Sequence, residues 1–238
     1  MLRAGSDAQT VFYATNRTAA PASVTVDTRS IPSKRRAAPH AMRTSLAVNT
    51  FSLRPYESLF SPSVSSTSGY VRILSAASAI SVNARSVRLV GGNAIGSGLP
   101  ALPISAAVGS SDLKRFAGVE DASLQSRAAS APGTFRTSLV LIETIRQPAT
   151  VRVTLRYTFA AGAKVSAVAV SSKEYSVSAS QFVVINDIAC DVIGSQRDSF
   201  ADLHNMELDV EVTAGTGRFL PYLQSIDNGS GDPVVRTD

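Results

Sequence analysis

Apolar and polar residues alternate with a period of two along most of this chain, and no long stretch carries the apolar spacing of an amphipathic helix. Successive side chains of a β-strand point to opposite faces, so such alternation marks strands buried on one side. In the first half the segments 9–16 (QTVFYATN), 22–28, 45–54, 69–75 and 79–90 read as strands. In the second half 101–108 and 113–118 read as short edge strands. They precede 135–143 (FRTSLVLIE), 149–159 (ATVRVTLRYTF), 164–172, 174–185, 206–213 and 217–226. Turn signals such as Arg146-Gln147-Pro148, Ala161-Gly162 and Gly215-Thr216-Gly217 separate them, which predicts an all-β chain of antiparallel sandwiches rather than βαβ units. One helical turn is expected over 199–205. The expected core is Phe12, Val24, Val26, Leu53, Val71, Ile73, Leu139, Leu141, Val151, Val153, Leu155, Val210, Val212 and Phe219.

The strand pattern repeats. Phe12, Ala14, Pro21, Val24 and Val26 match Leu139, Leu141, Pro148, Val151 and Val153 at a constant offset of 127. Phe51 and Leu53 match Tyr175 and Val177 at 124, while Val71, Ile73, Ile80, Ser86 and Val87 match Val210, Val212, Phe219, Ser225 and Ile226 at 139. An offset that changes only across loops is the signature of a duplicated module. Two tandem antiparallel sandwiches of immunoglobulin-like or fibronectin-like build follow, 1–98 and 99–238. The Gly-rich run from Gly91 to Gly98 reads as the linker between them. The counterpart of 101–126 would fall before Met1, so the first module is expected to lack its opening strands. Either the chain is a piece of a longer polypeptide, or another chain supplies a strand along an open edge beside 9–16. The candidate donors are the terminal segments MLRAGSDA and DPVVRTD of a second copy.

Composition narrows the function. At 44% hydrophobic and 17% charged, the 238-residue chain is not of the disordered class. No run of about 18 apolar residues predicts a membrane span, and MLRAGSDAQT has no secretory apolar core. Cys190 is the single cysteine, which excludes an intrachain disulfide and argues against a cysteine-based zinc site. Abundant Ser, Thr, Ala and Val, with no Trp, suit an extracellular or surface β-protein. Residues 1–98 carry 11 Lys/Arg and three Asp/Glu, and 99–238 carry 12 and 15, so a +8 module precedes a −3 module. Unlike charges would meet in a head-to-tail stack of identical chains.

The segments FRTSLVLIET (135–144), QPATVRVTL (147–155), Ile185-Asn186-Asp187-Ile188 and SIDNGSGDPVV (225–235) carry a resemblance. Together, with a GVEDAS segment at 118–123 ahead of them, they resemble a repeat module of secreted bacterial proteins. In those modules an "FRTNLxLxN" strand, an "xPxTVxVTL" strand, an "LNDI" strand and a closing "DNxTGDP" turn recur. The likeness covers most of 99–238 and, more weakly, 9–90, where Leu89-Val90-Gly91-Gly92-Asn93 replaces the closing turn. It implies a secreted, repetitive sandwich context beside enzymatic or adhesive domains, and implies no reaction.

Hydrolase, zincin, P-loop and dinucleotide motifs are absent from the sequence. A Ser-His-Asp relay would need His40, in the basic segment 33–43, or His204. Asp198, Asp202 and His204 form the one cluster with metal-like chemistry, read in preference as a solvated loop. Asp227, Asn228 and Asp232 suit calcium, or a turn that bonds its own backbone, and the second reading is preferred. Asn16-Arg17-Thr18 and Asn228-Gly229-Ser230 fit the glycan-acceptor pattern, as chance would also allow. Arg29, Lys34, Arg35, Arg36 and Arg43 make a basic loop able to meet an anionic polysaccharide or an acidic protein face. It lacks the interleaved aromatics that nucleic-acid stacking uses, so no nucleic-acid partner is expected. No catalytic, cofactor-binding or metal residue is assigned. The expectation is a non-catalytic structural or adhesive protein of the bacterial exterior, a homo-oligomer of fibre or surface-layer type. The alternative is a carbohydrate-binding accessory module of a secreted hydrolase.

Overall fold

The computed structural model describes residues 2–4, 8–17, 20–30, 40–46, 51–55, 67–75, 80–90, 93–128, 133–160, 166–231 and 233–237. Two compact units divide the chain, Met1–Ala101 and Leu102–Asp238. The described strands of the first are β1 (Leu2–Ala4), β2 (Ala8–Asn16), β3 (Ala22–Ser30), β4 (His40–Leu46), β5 (Phe51–Pro55), β6 (Thr67–Ser75), β7 (Ile80–Val90) and β8 (Asn93–Pro100). They form two four-stranded antiparallel sheets, ordered β1-β6-β3-β4 and β5-β2-β7-β8.

The second unit has β9 (Leu113–Asp121), β10 (Phe135–Glu143), β11 (Ala149–Ala160), β12 (Ser166–Val177), β13 (Phe182–Ile185), β14 (Leu203–Gly215), β15 (Phe219–Asp227) and β16 (Pro233–Arg236). Its sheets run β9-β14-β11-β12 and β13-β10-β15-β16. Helix α1 (Leu124–Ala128) follows β9, and helix α2 (Ile188–Ile193), continued by a 3-10 turn at Gly194–Ser199, follows β13. Strand for strand this is the order of the first unit, so the duplicated sequence is a duplicated topology, and the all-β tandem sandwich holds.

The ladders refine the alignment. Asn16 pairs Ile80 where Glu143 pairs Phe219, which agrees with offsets of 127 and 139. Tyr13 pairs Leu53 where Val140 pairs Val184, so β5 matches β13 at 131 and is not the counterpart of 175–177. Val26 pairs Ile73 where Val153 pairs Val210, which makes the β6–β14 offset 137 rather than 139. A slip of two residues keeps every side chain on its face, so the apolar pattern alone is blind to it.

Several expectations are corrected. In the first unit β1 holds the place of β9, Leu2 pairing Gly69 on β6, so the opening strand is present, three residues long against nine. β2 pairs β5 on one side and β7 on the other, so 9–16 is a central strand and offers no open edge. The two proposed donor segments are paired within their own units, β1 with β6 and β16 with β15. The Gly-rich run is no linker from Asn93 onward, because β8 pairs β7 from Val90↔Asn93 to Asn83↔Pro100. The span 45–54 is two strands in different sheets, β4 and β5. At 101–108 there is a 3-10 turn, Ile104–Ala106, and a single bridge from Val108 to Phe219. The helical turn comes earlier than 199–205, as α2 and its 3-10 extension.

The core of the second unit lies between its sheets. Leu139, Leu141, Ile185, Phe219 and Leu223 from one meet Phe116, Val151, Val153, Leu155, Leu208 and Val210 from the other, all buried. Burying such a side chain contributes about 1.5–3 kcal/mol, which is why the inward half of each alternation decides the register. Val24 of the first unit is buried and Ile73 half-buried, while the side chains of Phe12, Val26, Leu53 and Val71 lie outside the described residues. A polar staple joins the sheets of the second unit, beside the Thr137 hydroxyl, which donates to the Glu120 carbonyl at 2.6 Å. Arg236 of β16 donates from Nη1 to the Gly118 carbonyl of β9 at 2.7 Å and from Nη2 to the Ala117 carbonyl.

Candidate functional site

The densest polar grouping among the described residues lies where β9 ends and α1 and α2 begin. Ser123 caps α1, its Oγ accepting from the Ser126 amide at 3.2 Å. Two carboxylates from the segment after α2 take up nearby amides. Asp202 Oδ1 accepts from Ser123 N at 2.7 Å and Ser126 Oγ at 3.0 Å, and Asp198 Oδ1 accepts from Leu124 N at 3.0 Å. Burial would raise the Asp202 carboxyl, but its bonds to the Ser123 amide and the Ser126 hydroxyl hold it below its ordinary value. Asp187 caps α2 from a left-handed backbone, φ 60°, with Oδ1 accepting from Cys190 N at 3.1 Å. Asp tolerates that conformation because its side chain bonds the backbone nearby.

Asp121, the last residue of β9, is 1% exposed, and Arg197 of the 3-10 turn is fully buried against it. Arg197 donates from Nε to Asp121 Oδ2 at 2.7 Å, from Nη2 to the Asp121 carbonyl at 2.6 Å and from Nη1 to the Ala201 carbonyl at 3.2 Å. A buried charge persists only when paired and hydrogen-bonded in this way. Desolvation pushes the Asp121 carboxyl above its ordinary value, and Arg197 and Arg127 offset that only in part. Arg127, on the last turn of α1, places its guanidinium among the acids. Nη1 pairs with Asp187 Oδ2 and stands 3.7 Å from Asp121 Oδ1. Nη2 donates to Cys190 Sγ at 3.3 Å and lies 3.6 Å from Asp198 Oδ1.

The cluster assembles no nucleophile–base pair. Cys190 faces a guanidinium, and His204 is exposed, with Nδ1 3.9 Å from Glu120 Oε1. Asp198, Asp202 and His204 do not converge on one point: the two acids hold α1 and the imidazole turns to β9. What converges is Asp121, Asp187 and Cys190, each offering a ligand atom within 4.8 Å of the others. Sequence reading missed this set because Asp121 lies far in the chain from Asp187 and Cys190, which share the first turn of α2. The only signal was the Asn186-Asp187 pair before an apolar run, which is a helix-start pattern.

The other candidates have local roles. Asp227 Oδ1 accepts from the Gly229 and Ser230 amides, each at 2.8 Å, and Oδ2 from Gly133 N at 3.2 Å. Those amide bonds, Ser230's foremost, hold its carboxyl below the usual range. The turn thus bonds its own backbone, and Asp232 lies outside the described residues. Asn16 is fully buried, with Nδ2 donating to the Ala20 carbonyl at 3.0 Å, so it is no accessible glycan acceptor. Asn228 is half-buried and engaged by Arg136 and Thr134. Of the basic loop, Arg29, His40 and Arg43 stand on β3 and β4, and Lys34, Arg35 and Arg36 lie outside the described residues.

No family model matches the chain, and no curated protein matches it. Among solved structures, the N-terminal CBM22-1–CBM22-2 tandem domain of Xyn10C from Paenibacillus barcinonensis aligns with 99% of this chain and 80% of its own. Identity is 11% and the TM-score 0.21, a likeness too slight to carry an argument. Among the described residues, no helix is long and apolar enough to cross a membrane.

Proposed function

We propose that the chain is a non-catalytic structural or adhesive protein of the bacterial exterior that assembles with copies of itself, as a fibre or surface-layer subunit does. The observation that carries the reading is β12. This 12-residue strand ends its sheet and pairs on one side with β11. Toward its C-terminus α2 adjoins it, Tyr175 Oη donating to Asp191 Oδ2 at 2.5 Å and Lys173 Nζ standing 3.0 Å from the same oxygen. Toward its N-terminus Val168 and Val170 are 75% and 61% exposed. A long edge with exposed β-branched residues invites another strand, and proteins that stay monomeric usually blunt such edges with charge. The +8 and −3 modules favour contact between copies, and the resemblance to secreted repeat modules supports the location.

Carbohydrate binding is the weaker reading. Sugar platforms use exposed aromatic faces, and every described aromatic of the second unit is buried or half-buried. The test is sedimentation and negative-stain microscopy of the wild type beside a Val168→Lys/Val170→Lys variant. Concentration-dependent assemblies in the wild type and a folded monomer in the variant are expected. A wild type that stays monomeric at every concentration, or a variant that assembles equally well, overturns the proposal.

A further inference from the structure

The cluster at the start of α1 and α2 contains two buried polar atoms without a hydrogen-bond partner, Asp121 Oδ1 and Arg127 Nε. An orphaned oxygen on a carboxylate that is 1% exposed is costly, since desolvation is not returned by any bond. Asp121 offers one carboxylate oxygen to a group whose other ligand atoms come from Asp187 and Cys190, all within 4.8 Å of one another, and Oδ1 is its oxygen that Arg197 leaves unbonded. A guanidinium is a broad, planar cation suited to two parallel bonds in one plane. Arg127 here meets Asp187, Cys190, Asp198 and Asp121 from several directions, and its own Nε is left over. Three carboxylates face the single charge of Arg127, with Arg197 engaged on the far oxygen of Asp121.

We propose that Asp121, Asp187 and Cys190 form a binding site for a divalent cation of the zinc type, a place that the Arg127 guanidinium holds in this conformation and gives up when the ion enters. The ligands are already oriented. Arg197 fixes Asp121 through Oδ2 and leaves Oδ1 free, and the Cys190 amide fixes Asp187 through Oδ1 and leaves Oδ2 to the site. Bonds of this kind to the far side of a ligand set its direction and are worth about ten- to hundredfold in metal affinity. A thiolate with carboxylates suits Zn²⁺ or Cd²⁺, whereas Ca²⁺ asks for an all-oxygen shell. Asp198 or a water completes a tetrahedron. Cys190 loses its proton on binding, so uptake of the ion releases a proton to solvent. Arg127 stands at the rim, its side chain 10% exposed, with a short way to water.

The test is a cadmium titration of the full chain, followed by the ultraviolet charge-transfer band of a cadmium–thiolate bond, with zinc as competitor and circular dichroism to establish that each variant is folded. The wild type is expected to saturate at one ion per chain. Cys190→Ser should abolish the band, Asp187→Asn, which retains the capping oxygen, should weaken binding at least about tenfold, and Arg127→Ala should tighten it by removing the competing cation. No saturable band in the wild type overturns the proposal. A band indifferent to Asp187→Asn also overturns it, because the thiol would then bind alone. Arg127→Ala that binds no more tightly than the wild type shows that the arginine does not occupy the ion's place, and sinks the exchange.

Discussion

Glu143, at the end of β10, ties two turns with one carboxylate. It is 3% exposed and accepts from the Ile145, Arg146 and Gln147 amides at 2.6, 2.8 and 3.2 Å, and from Ser180 N at 2.7 Å. Arg146 and Ser180 are both left-handed, with φ of 63° and 60°, so the carboxylate holds two strained residues in place. Asn16 stands at the matching position of the first unit and, through Ala20, ties the turn by which the chain passes from β2 to β3 in the other sheet. Glu143→Ala strands four amides and is expected to lower stability by about 3 kcal/mol in urea unfolding; a loss below about 1 kcal/mol would mean that water replaces the carboxylate. Gly215 is the companion case. Its φ is 85°, and a Cβ there would sit 2.5 Å from the Pro148 carbonyl and 2.7 Å from Ala149 Cα. Gly215→Ala should cost about 2 kcal/mol or more, from strain and backbone displacement together. Thermal melts that leave it level with the wild type would refute the close approach.

At the level of elements, the outward face of the β9-β14-β11-β12 sheet is a charge ladder. Arg115 Nε and Arg156 Nη1 donate to Asp209 at 2.7 and 2.5 Å, and Arg152 bridges Glu211 and Glu174 at 3.1 and 3.0 Å. The Arg115 hydrogen bond, helped by Arg156, holds the Asp209 carboxyl below its ordinary value. A carboxyl depressed in the folded state contributes stability above its unfolded pKa and loses it as pH falls through the folded one. Asp209→Asn is therefore expected to flatten the acid side of the stability profile relative to wild type, and an unchanged acid limb in pH-dependent melts would contradict it.

Period-two alternation made most strands legible, and it failed where it is blind. β8 (NAIGSGLP) is held by its ladder with β7 rather than by propensity, so its glycines read as linker. Alternation through 45–54 runs on although the chain leaves one sheet for the other. Helix α2, six residues long, is too short for a period to declare itself. The site was less legible still: Asp121 and Arg127 are brought to Asp187, Cys190 and Arg197 by topology alone, and the acids that the sequence offered, Asp198 and Asp202, serve to hold α1.

For the whole molecule, the duplicated units share a fold and differ in charge. Each unit carries its own charge, +8 and −3, and the contact proposed between copies draws on that difference. Screening shortens from about 10 Å at 0.1 M salt to about 3 Å at 1 M. Assembly driven by the asymmetry should therefore loosen as salt rises, while assembly driven by the valines of β12 alone should tighten or hold. Light scattering across a salt series separates the two, and growth that strengthens with salt would remove charge from the account.

The Arg236 staple bears on what happens under load. If the chain assembles as proposed, load on the second unit would pass between its first strand, β9, and its last, β16, which lie in different sheets. β16 is four residues long and hangs from β15 by a hairpin, a geometry in which tension opens hydrogen bonds one at a time, like a zipper. By reaching across to the Ala117 and Gly118 carbonyls, Arg236 links the strand where force enters to the strand where it leaves. Those two bonds lie in parallel with the β15–β16 ladder, so they must rupture before the hairpin can peel. The core is spared until they do.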